Sequence, residues 1–149
     1  MNWQPFDVGL IQTKLSELTG QTAPIKHLGT MAEYSKITDL LNTPTPAAYA
    51  LLSHERATDA TAIRHGMVST FGVVMIVRDV SSQQTDINSA KKVLEPLIGE
   101  VRGKLIGWTP SRTAKPIELV GGQVVDFVNG VLVWMDSYQV FHVIGQPKR

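Results

Sequence analysis

The chain lacks cysteine altogether among its 149 residues. Disulfide bonds, thiolate nucleophiles and cysteine-ligated zinc or iron–sulfur centres are therefore excluded. A surplus of charge of one sign is also missing, because 14 Lys and Arg residues nearly balance 13 Asp and Glu residues. A net charge of +1 provides no long-range attraction to nucleic acid or anionic lipid. We therefore expect no sequence-specific nucleic-acid partner.

Long apolar runs are missing as well. No stretch approaches the ~18 apolar residues that a membrane-spanning helix requires. The N-terminal residues "MNWQPFDVGLIQTK" lack the charged start and apolar core of a signal peptide. We expect a soluble protein made in the cytoplasm, without a membrane partner. Its length predicts a single domain over residues 1–149, with residues 145–149 as a flexible tail.

Apolar spacing predicts three helices. Residues 6–18 and 87–105 each repeat apolar side chains every three or four positions, which forms one stripe on a helix. Thr30 and Glu33 stand at the spacing of a capping box, in which each side chain bonds a backbone amide of the first turn. A second helix is expected to follow over residues 31–41, before Asn42 and two prolines end it.

The remaining patterns predict strands. Residues 67–78 are apolar on both faces, which is typical of a central strand covered on both sides. Gly121-Gly122 should bulge the strand around it, and Asn129-Gly130 predicts a type I′ hairpin turn into a strand over residues 131–144. With shorter strands near residues 25–28 and 47–53, the order predicts an α+β fold. We expect helices packed on a mixed, mostly antiparallel sheet of about four to five strands.

Asp136 is the first candidate for chemistry. It shares one strand face with Trp134 and Tyr138, because side chains alternate along a strand. A carboxylate between two aromatic rings could have a raised pKa and act as a general acid or base. It could equally be structural, paired with a backbone amide, an arginine or a tyrosine hydroxyl. We favour the structural interpretation, since one carboxylate without a placed partner is not a catalytic site.

Residues 54–66, "HERATDATAIRHG", are the second candidate and are predicted to form a long polar loop. His54, Glu55, Asp59 and His65 are residue types that ligate metals, but their spacing matches no ligand pattern. A solvated loop and an interface loop are the other interpretations. We predict no catalytic, metal-binding or cofactor-binding residue.

The predicted long helix carries mixed charges, which favours a solvated face over a nucleic-acid stripe. Its charged residues are Lys91, Lys92, Glu95, Glu100, Arg102 and Lys104.

Four longer stretches carry a recognisable pattern. They are "TPAAYALLSHERA" (45–57), "TFGVVMIVRDV" (70–80), "LIGWTP" (105–110) and "ELVGGQVVDFVNGVLVWMDSYQV" (118–140). Together they resemble the tail terminator proteins of long-tailed bacteriophages, in which a Gly-Gly pair leads into a hairpin with a Trp-x-Asp strand. Trp134-Met135-Asp136 matches that element, although Val133 stands where a second aromatic residue is expected. The resemblance covers residues 25–141.

The resemblance implies a structural virion protein, with no catalytic residues and no cofactor. Such proteins form a ring, expected to be hexameric, that caps the tail tube, ends tail elongation and offers a docking surface to the head or neck. The implied partners are further copies of the chain, the tail tube protein and a neck or head-completion protein. The implied location is the head-proximal end of the virion tail, after assembly in the host bacterial cytoplasm. A ring leaves a lumen through which the genome can pass.

A ring also requires a heterologous interface, in which one patch meets a different patch on the next subunit. The residues that we expect to make contacts are His54, Glu55, Arg56, Arg64, His65, Arg78 and Asp79. The loop over residues 79–85 is expected to face the neck. Two other functions stay open. One is another head–tail joining or tail-completion protein, and the other is a small metal-dependent hydrolase using Asp136, His142 or the two loop histidines.

Overall fold

The computed structural model describes residues 2–20, 22–37, 44–79 and 87–145. These residues form three helices and five strands, and a 3₁₀ turn extends the first helix to Leu18. In chain order the elements are α1 (Gly9–Leu15), β1 (His27–Thr30), α2 (Met31–Ser35), β2 (Ala47–Ala60), β3 (Arg64–Arg78), α3 (Ile87–Leu105), β4 (Glu118–Val128) and β5 (Val131–Gly145). None of these helices is both long and apolar enough to cross a membrane.

The five strands form one sheet in the order β1-β2-β3-β5-β4. β1 runs parallel to β2, whereas the other three neighbouring pairs are antiparallel. β3 and β5 pair along their whole length at the centre, from Arg64 opposite Gly145 to Arg78 opposite Val131. The predicted α+β fold with a mostly antiparallel sheet is confirmed.

The main hydrophobic core lies between one face of the sheet and the helices α1 and α3. The apolar stripe of α3 is fully or almost fully buried there, and so are Phe71, Val73 and Met75 of β3. Burying one such side chain contributes roughly 1.5–3 kcal/mol, so this face holds most of the hydrophobic stabilisation. The periodicity that predicted α3 is therefore the periodicity of its buried face.

A smaller apolar cluster covers the opposite face of the central strands. Tyr49, Val74 and Ile76 are buried in it, and Tyr34 and Ile37 from the α2 region pack against it. β3 is thus covered on both faces, as its sequence predicted. The Thr30 hydroxyl accepts from the Glu33 amide as the capping box requires, but the Glu33 carboxylate lies 3.3 Å from His27 instead of reaching back.

The predicted boundaries hold in part. α1 begins at Gly9 and not at residue 6, and α2 ends at Ser35, earlier than expected. Leu40 and Leu41 of the predicted second helix lie outside the described residues, as do residues 80–85 of the predicted neck loop and residues 146–149 of the predicted tail. Gly145 of that tail belongs to β5.

The two predicted features that contain glycine near the C-terminus, a hairpin turn and a bulge, are confirmed. Asn129 and Gly130 both have positive φ, at 47° and 81°, which is the backbone that a type I′ turn requires. The pairing of β4 with β5 shifts register between Leu119 and Gly121, so the Gly-Gly pair follows directly on a bulge.

The predicted loop over residues 54–66 is wrong. β2 continues to Ala60 and β3 begins at Arg64, so only residues 61–63 connect them. This hairpin extends past the end of the apolar core, where an exposed strand has polar side chains just as a loop does. Hydropathy alone does not separate those two cases, because no alternation of apolar residues marks the strand.

Candidate functional site

Asp136 lies at the centre of a buried hydrogen-bond cluster. Its carboxylate is fully buried and accepts two bonds from Arg102, Nε to Oδ2 and Nη2 to Oδ1, each 2.8 Å long. Trp134 Nε1 donates to Oδ1 at 2.8 Å and the Tyr138 hydroxyl donates to Oδ2 at 3.1 Å. Each oxygen therefore has two donors already, and the structural interpretation of Asp136 is the one that the geometry supports.

The electrostatics of this cluster keep Arg102 and Tyr138 protonated. The hydrogen bond to Asp136 is the main reason that the pKa of Arg102 is raised, and burial is the main reason that the pKa of Tyr138 is raised above its usual range. The expectation of a solvated face was wrong for Arg102, because the last turn of α3 brings its side chain over the sheet. Arg102 thereby ties the end of α3 to the centre of β5.

Gly122 of β4 lies opposite Asp136. The side chains of the cluster approach its backbone so closely that only a glycine fits at this position. A Cβ atom at this position would lie 2.5 Å from Asp136 Oδ1 and 2.6 Å from Trp134 Cζ2. At Gly121, by contrast, an added Cβ atom would meet nothing within 4 Å. Only the second glycine of the pair is required for close approach.

A second polar cluster joins the hairpin to the N-terminal segment. Glu55 Oε1 accepts from the Phe6 amide at 2.5 Å and from the Ser69 hydroxyl at 2.7 Å. His142 Nε2 lies 2.6 Å from Ser69 Oγ, and since that hydroxyl gives its hydrogen to Glu55, the histidine donates to it. The Phe6 ring lies 5.8 Å from Phe71 and 5.6 Å from His142. The cluster therefore anchors the start of the chain over β2 and β3.

Ser, His and Glu occur together here, but their arrangement is not that of a nucleophilic triad. In a triad the carboxylate bonds the imidazole nitrogen that points away from the serine. Glu55 lies instead on the serine itself and 3.7 Å from the same Nε2 that contacts Ser69. Ser69 is also completely buried, so its hydroxyl meets no substrate. Sequence reasoning missed Ser69, although a serine on the apolar face of a central strand is itself a signal of a buried polar contact.

The seven predicted contact residues do not form one site. His54 and Arg56 are exposed on β2, whereas Glu55 turns inward to Ser69. His65 packs edge-on against Trp3 with ring centroids 5.4 Å apart, and Arg64 beside it is partly buried.

The other two predicted residues lie at the far end of β3. Arg78 is exposed there, but Asp79 is only 4% exposed and offers little surface to a partner. β3 is 15 residues long, which separates Arg78 from Arg64 by roughly 45 Å at about 3.3 Å per residue. Arg64 and His65 therefore lie at one end of β3 and Arg78 and Asp79 at the other, whereas His54, Glu55 and Arg56 lie opposite Thr70, Ser69 and Val68, near the middle of that strand.

Metal chemistry finds no support in the described part of the chain. No three His, Asp or Glu side chains there come close enough together to hold an ion. The two loop histidines proposed as ligands diverge, because His54 is exposed on β2 while His65 packs against Trp3.

Both polar clusters hold elements of the fold together, which defines a structural α+β domain. A family model described as phage tail terminator protein matches residues 1–149, and the chain belongs to that family. The resemblance drawn from the sequence is thereby confirmed, and with it a structural role in a phage tail. A search of curated proteins finds no match.

We predict that Arg102→Ala lowers the free energy of unfolding by about 3 kcal/mol, because it leaves the Asp136 carboxylate buried without its cationic partner. Urea denaturation measures the change. Lys104→Ala is the matched control, since Lys104 lies on the same helix with similar exposure, 35% against 32%, and reaches only the exposed Glu17. Equal losses for the two variants would contradict the assignment of Arg102 to the fold.

We predict that Gly122→Ala destabilises the protein by roughly 1–3 kcal/mol, since the added methyl group overlaps Asp136 and Trp134. Gly121→Ala, one position earlier on the same strand, should cost much less because nothing lies near its added Cβ. Thermal denaturation of both variants checks the difference. A larger loss for Gly121→Ala would show that the close approach at Gly122 is not the constraint.

We predict that stability falls as the pH falls from about 7.5 to about 5.5. Burial lowers the pKa of His142 below 6.5 against the opposing charge of Glu55, so below that pH the unfolded chain binds more protons at this residue than the folded one. Melting temperatures at the two pH values measure the loss. His142→Gln keeps a donor for Ser69 and should reduce the pH dependence, and an unchanged dependence would exclude His142 as its source.

Proposed function

We propose that this protein forms a hexameric ring that caps the phage tail tube, ends tail elongation and presents a docking surface to the head or neck. The observation that carries the proposal is the match of the whole chain to the tail terminator family. The proposed location is the head-proximal end of the tail, after assembly in the host bacterial cytoplasm. The proposed partners are other copies of the chain, the tail tube protein and a neck or head-completion protein.

The proposed role involves no enzymatic step. Asp136 has both oxygens engaged by Arg102, Trp134 and Tyr138, and so it has no free position for a substrate. His142 is only 7% exposed and its Nε2 is engaged by Ser69. The polar groups that a hydrolase would use are thus committed to holding the subunit together, which favours a structural role.

The two distant ends of β3 support separate contact surfaces. We propose that the hairpin of β2 and β3, on which His54 and Arg56 are exposed opposite Thr70 and Val68, meets the tail tube or lines the pore. The opposite end, with Arg78 exposed, is proposed to face the neck. A protein that joins two different partners needs two such surfaces, and β3, roughly 45 Å long, runs from the hairpin tip to Arg78.

The direct test is to add the purified protein to tail tubes growing in vitro and to follow tube length by electron microscopy. Capping should stop elongation and leave a ring of density at one end. The molar mass of the purified ring without tubes, by light scattering, should be about six times the 16.3 kDa subunit. Tubes that elongate unchanged and carry no added density would contradict the proposed function.

A further inference from the structure

Among the described residues, no strand covers the outer edge of β4 along its length. The sheet order ends at this strand, so no described strand pairs with its outer side. None of its 11 residues is buried. Four of them are apolar and between 40% and 58% exposed: Val120, Val124, Val125 and Val128. A long exposed edge strand with apolar side chains is a template for pairing with another strand.

The opposite side of the sheet offers a second open edge of similar length. β1 pairs only with Ala47–Ala50, four of the 14 residues of β2. Of the other ten, residues 51–60, seven pair with β3 on one side, with register shifts at Leu52/His54 and Ala57/Ala60, and none pairs with a described strand on the other side. The N-terminal segment lies over one face of this region, where Phe6 contacts Glu55 and His142.

We propose that β4 of one copy pairs with residues 51–60 of β2 in the next copy, so that the sheets of neighbouring subunits become continuous. The inference rests on the proposed ring and names the surfaces that build it. The two edges are different, so each subunit uses one edge to receive a neighbour and the other to join the next. This is the heterologous contact that a closed ring needs.

Strand direction agrees with this pairing. Three antiparallel steps lead from β2 through β3 and β5 to β4, so β2 and β4 run in opposite directions. A neighbouring copy placed in the same sense therefore presents its β2 antiparallel to β4. Antiparallel pairing is the slightly more stable kind and does not need a crossover connection.

Charge favours the pairing of β4 with β2 over the pairing of β4 with a second copy of β4. The charged side chains of β4 are Glu118 and Asp126, both acidic and both exposed, so two β4 strands would repel each other. Residues 51–60 of β2 carry two exposed charges of opposite sign, Arg56 and Asp59, while the Glu55 carboxylate is engaged by Phe6 and Ser69. A β4 strand therefore meets a cation on β2 that a second β4 strand does not offer. Arg56 lies opposite Val68 of β3, and Glu118 and Asp126 lie level with Thr70 and Ile76 of β3 through their partners on β5. Positions 68, 70 and 76 are separated by even numbers of residues, so the three charged side chains lie on one face of the sheet.

The pairing also fixes an offset between subunits. Within one sheet, Glu118, Leu119 and Gly121 lie level with His54, Leu52 and Leu51, whereas residues 122–126 lie level with Ala47–Ala50, the part of β2 that β1 covers. A β4 strand that pairs with residues 51–60 of a neighbour must therefore slide toward the hairpin tip. In a closed ring such a stagger tilts every strand relative to the axis.

Disulfide trapping tests the inference, because the native chain has no cysteine to interfere. Arg56→Cys is combined with a cysteine at Glu118, Gln123 or Asp126, three positions on the same face of β4. The variants are assembled on tail tubes, oxidised mildly and separated on non-reducing gels. A mixture of two single variants should give dimers only, whereas a double variant should give a ladder. Lys92→Cys with Arg56→Cys is the control, since Lys92 is exposed on α3 away from both edges.

A substitution pair gives a second readout that does not depend on register. Val125→Lys on β4 and Val93→Lys on α3 replace equally exposed valines, 46% and 44%. Val125→Lys should raise the protein concentration needed to cap tubes by about tenfold or more. Val93→Lys should leave it unchanged, and circular dichroism confirms that both variants fold.

The outcomes separate this inference from the proposed function. Capping together with a cross-linked ladder supports both. Capping without any cross-link between Arg56→Cys and the β4 cysteines overturns the edge pairing and leaves the function standing. A ladder without capping supports the pairing. Because Arg56 is itself proposed to meet the tail tube, the function is judged on the unsubstituted chain, and its failure to cap tubes would overturn the function. Dimers from the Asp126→Cys variant alone would indicate β4–β4 pairing and would also overturn the inference.

Discussion

The bidentate contact between Arg102 and Asp136 is the interaction on which the rest of the structure depends. It joins the last turn of the longest helix to the middle of a central strand, and it does so across the main hydrophobic core. Because the carboxylate is fully buried, four donors around it have to be supplied by particular residues in particular places. The glycine of β4, the indole of Trp134 and the hydroxyl of Tyr138 all follow from that requirement.

Hydrogen bonds between buried polar groups also hold the other end of the sheet, with different residues. The hairpin of β2 and β3 extends past the apolar core, where hydrophobic burial no longer holds it. Glu55, Ser69 and His142 fill the gap between hairpin and N-terminal segment with mutually satisfied hydrogen bonds. A projecting hairpin is in this way fixed in place without covering its outer edge or its polar face.

Much of the fold could be predicted from the sequence, since hydrophobic periodicity and turn-forming residues are local features of the chain. α3, the central strand and the type I′ turn at Asn129-Gly130 were predicted because each depends on neighbouring residues only. The hairpin over residues 54–66 was not, because its strands have polar side chains and their pairing is visible only once β3 is in place. An arginine was one of three partners considered for Asp136, but Arg102 lies 34 residues away and sequence patterns do not show contacts between residues so far apart. Ser69 was missed for the same reason, since its partners come from two other strands.

The two register shifts in β4, at Leu119/Gly121 and Val124/Asp126, have a consequence for the protein before it assembles. They divide the strand into short regular segments. A straight strand from an unrelated chain, or from a growing fibril, can therefore form backbone hydrogen bonds with only a few residues of β4 at a time. A correct neighbour would gain little from one such short match, but in the proposed ring every subunit would be held on both sides and the contacts would act together. If β4 makes the proposed contact, its irregularity would keep single subunits apart and favour complete rings over open-ended aggregates.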